Sequence, residues 1–157
     1  LAVGVGWAKP VPVDPRNFKN PRKGMAITAL AGPVSNFLMA LVALGVDSLL
    51  YHFGPSNQPM AYLIVFLCQL AVLNVGLGLF NLIPFPPLDG SRVLEMFLPE
   101  RAYRWLLRYE RYLIVAVVLL AWSGFFGGPL YTAIAWVLRL LCQITQFPFS
   151  FVFYYFF

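Results

Sequence analysis

Long apolar runs alternate with short polar connections along this chain, and the connections differ in charge. Met25 to Leu50 and Met60 to Ile83 are nearly continuous apolar stretches. Each reaches the roughly 20 residues that cross a hydrocarbon core of about 30 Å. A third run opens near Tyr112 and closes at the break "SGFFGGP", and a fourth opens at Leu130. A span in lipid must satisfy its own backbone hydrogen bonds, which a helix does locally. The pattern therefore predicts an all-α membrane protein of about four transmembrane helices. Ahead of the first run, Val11 and Val13 alternate with Pro10 and Pro12. That alternation forbids helix and predicts a short extended or β segment at the membrane surface. Two parts are expected: a proline-rich surface segment over 1–24 and a transmembrane helical domain over 25–157.

Composition strengthens this picture. Of 157 residues, 61% are hydrophobic and 11% charged, and the mean hydropathy is +0.76. Soluble domains carry about 25% charged residues. The net charge of +5 would suggest nucleic acid on a soluble protein. Here Lys9, Arg16, Lys19, Arg22 and Lys23 precede the first run, and Arg92, Arg101, Arg104, Arg108 and Arg111 follow the second. The 51–59 and 123–129 turns carry no Lys or Arg. Basic residues in alternate connections place the N-terminal segment and the 84–111 loop in the cytoplasm. They form no aromatic-interleaved basic stripe of the nucleic-acid-binding kind. Cys68 and Cys142 form no C-x-x-C pair. Arg139 falls inside the fourth run, where an arginine costs ~2.5–3.5 kcal/mol on insertion scales. The closing "FPFSFVFYYFF" has no explanation from its pattern.

The stretch "FNLIPFPPLDGSRVL", Phe80 to Leu94, holds the strongest chemical signal. Pro84, Pro86 and Pro87 end the second span, and residues before proline avoid helix. Gly90 allows a sharp turn after Asp89. One carboxylate is thus presented on irregular backbone at the membrane boundary. Such backbone is tolerated at that depth only inside protein or beside a wet cavity, and an intramembrane acid is a functional candidate. An equally ordinary reading has Asp89 or Ser91 capping the helix that follows, with Glu95 in its early turns.

"NLIPFPPLDG", Asn81 to Gly90, resembles the signature of the site-2 protease family of intramembrane zinc metalloproteases. "GWAKPVPVDPRNFKNPRKGMA", Gly6 to Ala26, and "ALAGPVSNFLMAL", Ala29 to Leu41, are similar to the segments around the middle core span of compact prokaryotic members. The resemblance runs from Gly6 to about Leu141. It implies that Asp89 is the third zinc ligand and that Asn81 and Asn36 lie where substrate is held. Members also carry His-Glu-x-x-His on an earlier helix, two histidines for the metal and a glutamate as base. This chain has one histidine, His52, and no such motif. The expectation is one zinc ligand here and two on a helix upstream of Leu1. The chain is then the C-terminal part of a protease core, inactive alone.

Other marked residues have plainer readings. Gly32, Ser35 and Asn36 lie near one face of the first span, and Ala31-x-x-x-Ser35 is a close-packing pattern. Asn74 is expected to hydrogen-bond across helices. Asp47 is expected at the membrane interface and His52 in a solvated turn.

The function implied by the resemblance is zinc-assisted hydrolysis of a membrane-embedded peptide in a prokaryotic cell membrane. Its partners would be a membrane-spanning protein substrate and the bilayer, without nucleic acid. Strand addition by Val11–Val13 to an unwound substrate fits such a site. The rival readings are a non-catalytic scaffold or degenerate homologue, favoured by the missing histidine pair, and a small transporter lined by Asp89, Asn74 and Arg139. No inverted repeat supports the transporter.

Overall fold

A computed structural model describes residues 17–156. They form six helices: α1 (Pro21–Phe53), α2 (Gln58–Asn81), α3 (Asp89–Phe97), α4 (Glu100–Trp122), α5 (Gly127–Thr145) and α6 (Phe149–Phe156). No strand occurs among the described residues. The segment expected to be extended around Val11 and Val13 lies outside them. Helix α1 starts at Pro21, inside the stretch expected to be a surface segment.

Local chemistry fixes where the helices start. Asn20 has extended backbone and its side chain accepts from the Lys23 N–H at 3.4 Å. Pro21 follows, where a missing N–H costs nothing. Asn57 opens α2 in the same way, accepting from the Met60 N–H at 3.0 Å ahead of Pro59.

Helices α1, of 33 residues, and α2, of 24, are long and apolar enough to cross a membrane. Helices α4 and α5 qualify only as a pair, bent by 79° at the break between them. Two such helices are present among the described residues, or three with the bent pair, where the sequence pattern predicts four. The reason is the first half of α4. It carries Glu100, Arg101, Arg104, Arg108, Glu110 and Arg111. Only Tyr112 to Trp122 is apolar, about 16 Å of helix, half the core thickness.

The core lies where α1, α2 and α5 meet. Ala40, Ala43 and Leu44 of α1 pack with Ile64, Cys68, Ala71 and Val75 of α2, and Leu138 and Cys142 of α5 close the group. Small residues at the α1–α2 crossing let two backbones approach, the route to packing energy when lipid is as apolar as the side chains. The packing face is not the one the Ala31-x-x-x-Ser35 pattern suggests, since both residues are exposed. The Ser35 hydroxyl donates instead to the Gly32 carbonyl at 2.7 Å. The aromatic tail becomes α6, and Phe147 and Val152 join the core against α5 and α2. Arg139 is exposed and lies six residues before the end of α5, about 9 Å, close enough for its long side chain to reach an interface.

Candidate functional site

Helix α2 runs out in tight turns. The Leu82 N–H bonds back to Gly78 and the Ile83 N–H to Phe80, at 3.2 and 3.1 Å. The prolines follow, with Pro86 buried and the Pro86–Pro87 bond cis. The Leu88 N–H then closes onto Phe85 at 2.9 Å and α3 begins.

Asp89 is the first residue of α3 and is half-buried. Neither it nor Ser91 caps the helix. The cap residue is Leu88, with no side-chain bond, and the Ser91 hydroxyl donates to the Leu88 carbonyl at 2.8 Å. Among the described residues, the Asp89 carboxylate makes no hydrogen bond or ion pair. Its charge is favoured there by the α3 dipole. Of the two readings of the L-D-G stretch, the cap is the one the geometry rejects.

Two glycines hold this corner together. A β-carbon on Gly90 would stand 2.3 Å from the Leu82 carbonyl oxygen and 2.6 Å from that of Ile83. Only glycine lets α3 start against the last turn of α2. A β-carbon on Gly32 would come within 3.1 Å of Asp89 Oδ2. The carboxylate therefore rests against a bare patch on α1. Asn36 lies one turn further along the same face of α1 and is half-buried. Asn81 is the last residue of α2, beside Leu82. The structure thus brings Asp89 against Gly32, while Asn36 lies a turn further along α1 and Asn81 at the end of α2. Sequence reasoning assigned Gly32 to helix packing. Its role beside Asp89 was signalled only by its place four residues before Asn36.

A clamp braces the corner from outside. Arg22, at the start of α1, pairs with Glu100 and donates to the Leu98 carbonyl at 3.4 Å. Its guanidinium lies over the Tyr103 ring at 4.6 Å. This ties α1 to the α3–α4 junction. Within α3, the buried Glu95 accepts from Arg92 through both oxygens at 3.2 Å.

The remaining candidates fall elsewhere. Asn74 donates to Leu70 of its own helix at 2.8 Å rather than across to a neighbour. His52 is exposed, as expected, but sits in the last turn of α1 with Nδ1 2.8 Å from the Ser48 carbonyl. Asp47 is not interfacial. It is 0% exposed in the α1–α2–α5 core, where the Cys68 thiol donates to Oδ2 at 3.2 Å and Oδ1 has no partner. Its distance from the span end hid it, because sequence position does not reveal that α5 covers it.

The zinc expectation is corrected by this geometry. No group of three or more His, Cys, Asp or Glu able to hold a metal ion occurs among the described residues. His52 lies 20 residues along α1 from Gly32, about 30 Å, and Asp47 about 22 Å. Glu95 is engaged with Arg92. Asp89 is a lone carboxylate, and the residues present do not fit a metal centre, which needs three protein ligands.

Comparisons with known proteins place the chain. The family described as Peptidase family M50 matches residues 49–123, which include the whole proline-broken corner. YwhC of Bacillus subtilis is 34% identical over 140 residues, covering 87% of this chain and 61% of that protein. MJ0392 of Methanocaldococcus jannaschii is 35% identical over 83 residues, 53% of this chain and 22% of the relative. Rip2 of Mycobacterium tuberculosis is 28% identical over 114 residues, 73% and 42% of the two chains. All three are named as zinc metalloproteases. The chain spans about three-fifths of the length of YwhC and less of the other two. No solved structure matches it significantly. With its motifs in order and its relatives in agreement, the chain belongs to peptidase family M50, the site-2 protease family of zinc metalloproteases.

Proposed function

We propose that the protein to which this chain belongs is an endopeptidase that cleaves membrane-embedded peptides, and that the Asp89 corner is this chain's share of the reaction centre. The observation that carries the reading is the unpaired Asp89 carboxylate, held against Gly32 by a helix start that only glycine at position 90 permits. A carboxylate left without partners at the edge of an apolar bundle is expensive to keep. Families keep such groups for chemistry. In this reading, Asn36 and Asn81 flank the carboxylate and hydrogen-bond the backbone of a substrate segment. Helical peptide bonds are already hydrogen-bonded, so a substrate must unwind locally, and free amide donors and acceptors such as these reward that unwinding.

The sidedness belongs to the same proposal. The start of α1 and the α3–α4 junction carry the basic residues and face the cytoplasm. The α1–α2 turn faces the other side, and the bent α4–α5 pair enters the membrane as one broken span.

The experiment uses the complete protein, reconstituted in vesicles with a panel of single-span peptides, and products are read by mass spectrometry. The wild type is expected to cut within or at the edge of the apolar segment. Asp89→Asn, which keeps shape and removes charge, is expected to abolish cutting without altering the circular dichroism spectrum. Undiminished cleavage by a folded Asp89→Asn protein would overturn the assignment.

A further inference from the structure

The arginines of α4 are not absorbed by the hydrolytic corner. Arg101, Arg104, Arg108 and Arg111 recur at helical spacing and form one stripe. All four are exposed, and none makes an ion pair among the described residues. Glu110 lies on the opposite side of the helix. Arginines placed this closely repel one another, so the arrangement calls for an anion.

Aromatic rings border the stripe, so on α4 the helix does bring basic and aromatic residues side by side, contrary to the expectation from the linear sequence. Trp105 and Tyr109 stack with centroids 5.0 Å apart, and Tyr109 and Tyr112 follow at 6.3 Å. Arg101, Arg104 and Arg108 with Trp105 and Tyr109 line a cleft of about 350 Å³. Beyond Trp105 the surface turns apolar. A second cleft of about 290 Å³ is lined by Phe85, Leu94, Leu98, Leu106 and again Trp105. One tryptophan therefore forms a wall of both a cationic cleft and an apolar one.

We propose that this double cleft on α4 binds an anionic phospholipid, with its headgroup phosphate on Arg101, Arg104 and Arg108 and an acyl chain in the apolar cleft beyond Trp105. Guanidinium forks match phosphate oxygens in pairs, which a lysine cannot do. Aromatic rings between charge and hydrocarbon are placed as they are at a membrane surface. The adjoining apolar cleft decides for a lipid over a soluble phosphate, because a free anion would leave it unfilled. The proposal does not depend on the hydrolytic reading, since none of these arginines belongs to the Asp89 corner.

The test uses the full chain with Trp105 as its sole tryptophan, through Trp7→Phe, Trp122→Phe and Trp136→Phe. It is solubilised in neutral detergent and titrated with phosphatidylglycerol or phosphatidylcholine brominated on the acyl chain. Quenching by phosphatidylglycerol should be half-maximal at about tenfold lower lipid fraction than by phosphatidylcholine. The triple change Arg101→Gln, Arg104→Gln and Arg108→Gln should reduce that preference to near unity, with helicity checked by circular dichroism. Equal quenching by the two lipids in the unaltered stripe overturns the proposal, whatever the fate of the glutamine variant. So does an undiminished preference after the glutamine changes. Complete protection by millimolar inorganic phosphate would assign the cationic cleft to a soluble anion and also overturn it.

Discussion

Among the described residues, the carboxylates of Asp89 and Asp47 have opposite settings. Asp89 opens a short helix after a proline-broken link, half-exposed and without a partner. Asp47 sits inside a long regular helix, 0% exposed, with a thiol on one oxygen and nothing on the other. The first position exists because the backbone departs from regular structure there. The second exists in spite of unbroken structure around it. An acid at an irregular corner can meet a ligand without disturbing the bundle, whereas an acid in the core can change only by changing how α1, α2 and α5 pack. Chemistry is expected from the former and stability effects from the latter.

The sharpest way to break this contrast is to neutralise each acid in turn. Asp89→Asn is expected to lower cleavage by roughly a hundredfold or more, about 2.7 kcal/mol in barrier, with the unfolding temperature in detergent unchanged. Asp47→Asn should show the reverse, with activity retained and any shift appearing in the melting curve. A hundredfold activity loss from Asp47→Asn would erase the distinction. Next in size is Gly90→Ala. Its β-carbon meets backbone rather than a mobile side chain, so a destabilisation of about 2–3 kcal/mol is expected, read by denaturant unfolding.

Cys68→Ala removes the thiol that serves Asp47. Leaving a buried oxygen without its donor is expected to cost about 1–2 kcal/mol, with no effect on cleavage. Gly32→Ala tests the other carboxylate from the side of α1. A methyl 3.1 Å from Asp89 Oδ2 forces a small displacement, and about a tenfold loss of cleavage is expected. Gly45→Ala is its control, since nothing lies within 4 Å of a β-carbon there. The smallest effect belongs to Arg22→Gln. Its partner Glu100 is 69% exposed, so loss of the clamp should lower stability by less than about 1 kcal/mol. A larger fall would mean that the Tyr103 and Leu98 contacts, rather than the ion pair, hold α1 to the α3–α4 junction.

These contrasts also show what the sequence revealed. The Asp89 corner was legible because prolines, an acid and a glycine in succession leave few backbone options, and that stretch resembles a family signature. The α1 and α2 spans were legible from their length. The count of four spans was not, because the run from Tyr112 looks apolar while the helix containing it begins twelve residues earlier among arginines. Asp47 was misplaced because one-dimensional distance to a span end does not report packing by a helix 80 or more residues away. Asn74 was expected to reach across helices, but a carbonyl on its own helix lay nearer. The aromatic tail had no periodicity to interpret, and only the α2–α5 groove explains why it coils. The zinc expectation joined a true motif to ligands that this chain does not carry near it.

The length of α1 fixes how deep the Asp89 corner lies. At 33 residues the helix measures about 50 Å, against an oily slab of about 30 Å. Absorbing the whole excess by leaning would need an inclination above 50°, steeper than the 0–40° seen for such helices. Some of α1 must therefore stand in water or among headgroups. Gly32 is 11 residues from Pro21, about 17 Å. With the overhang shared between the two ends, the carboxylate resting on Gly32 comes to lie only a turn or two beneath the wet surface, shallow enough for water to reach it and deep enough for a lipid-borne chain to meet it.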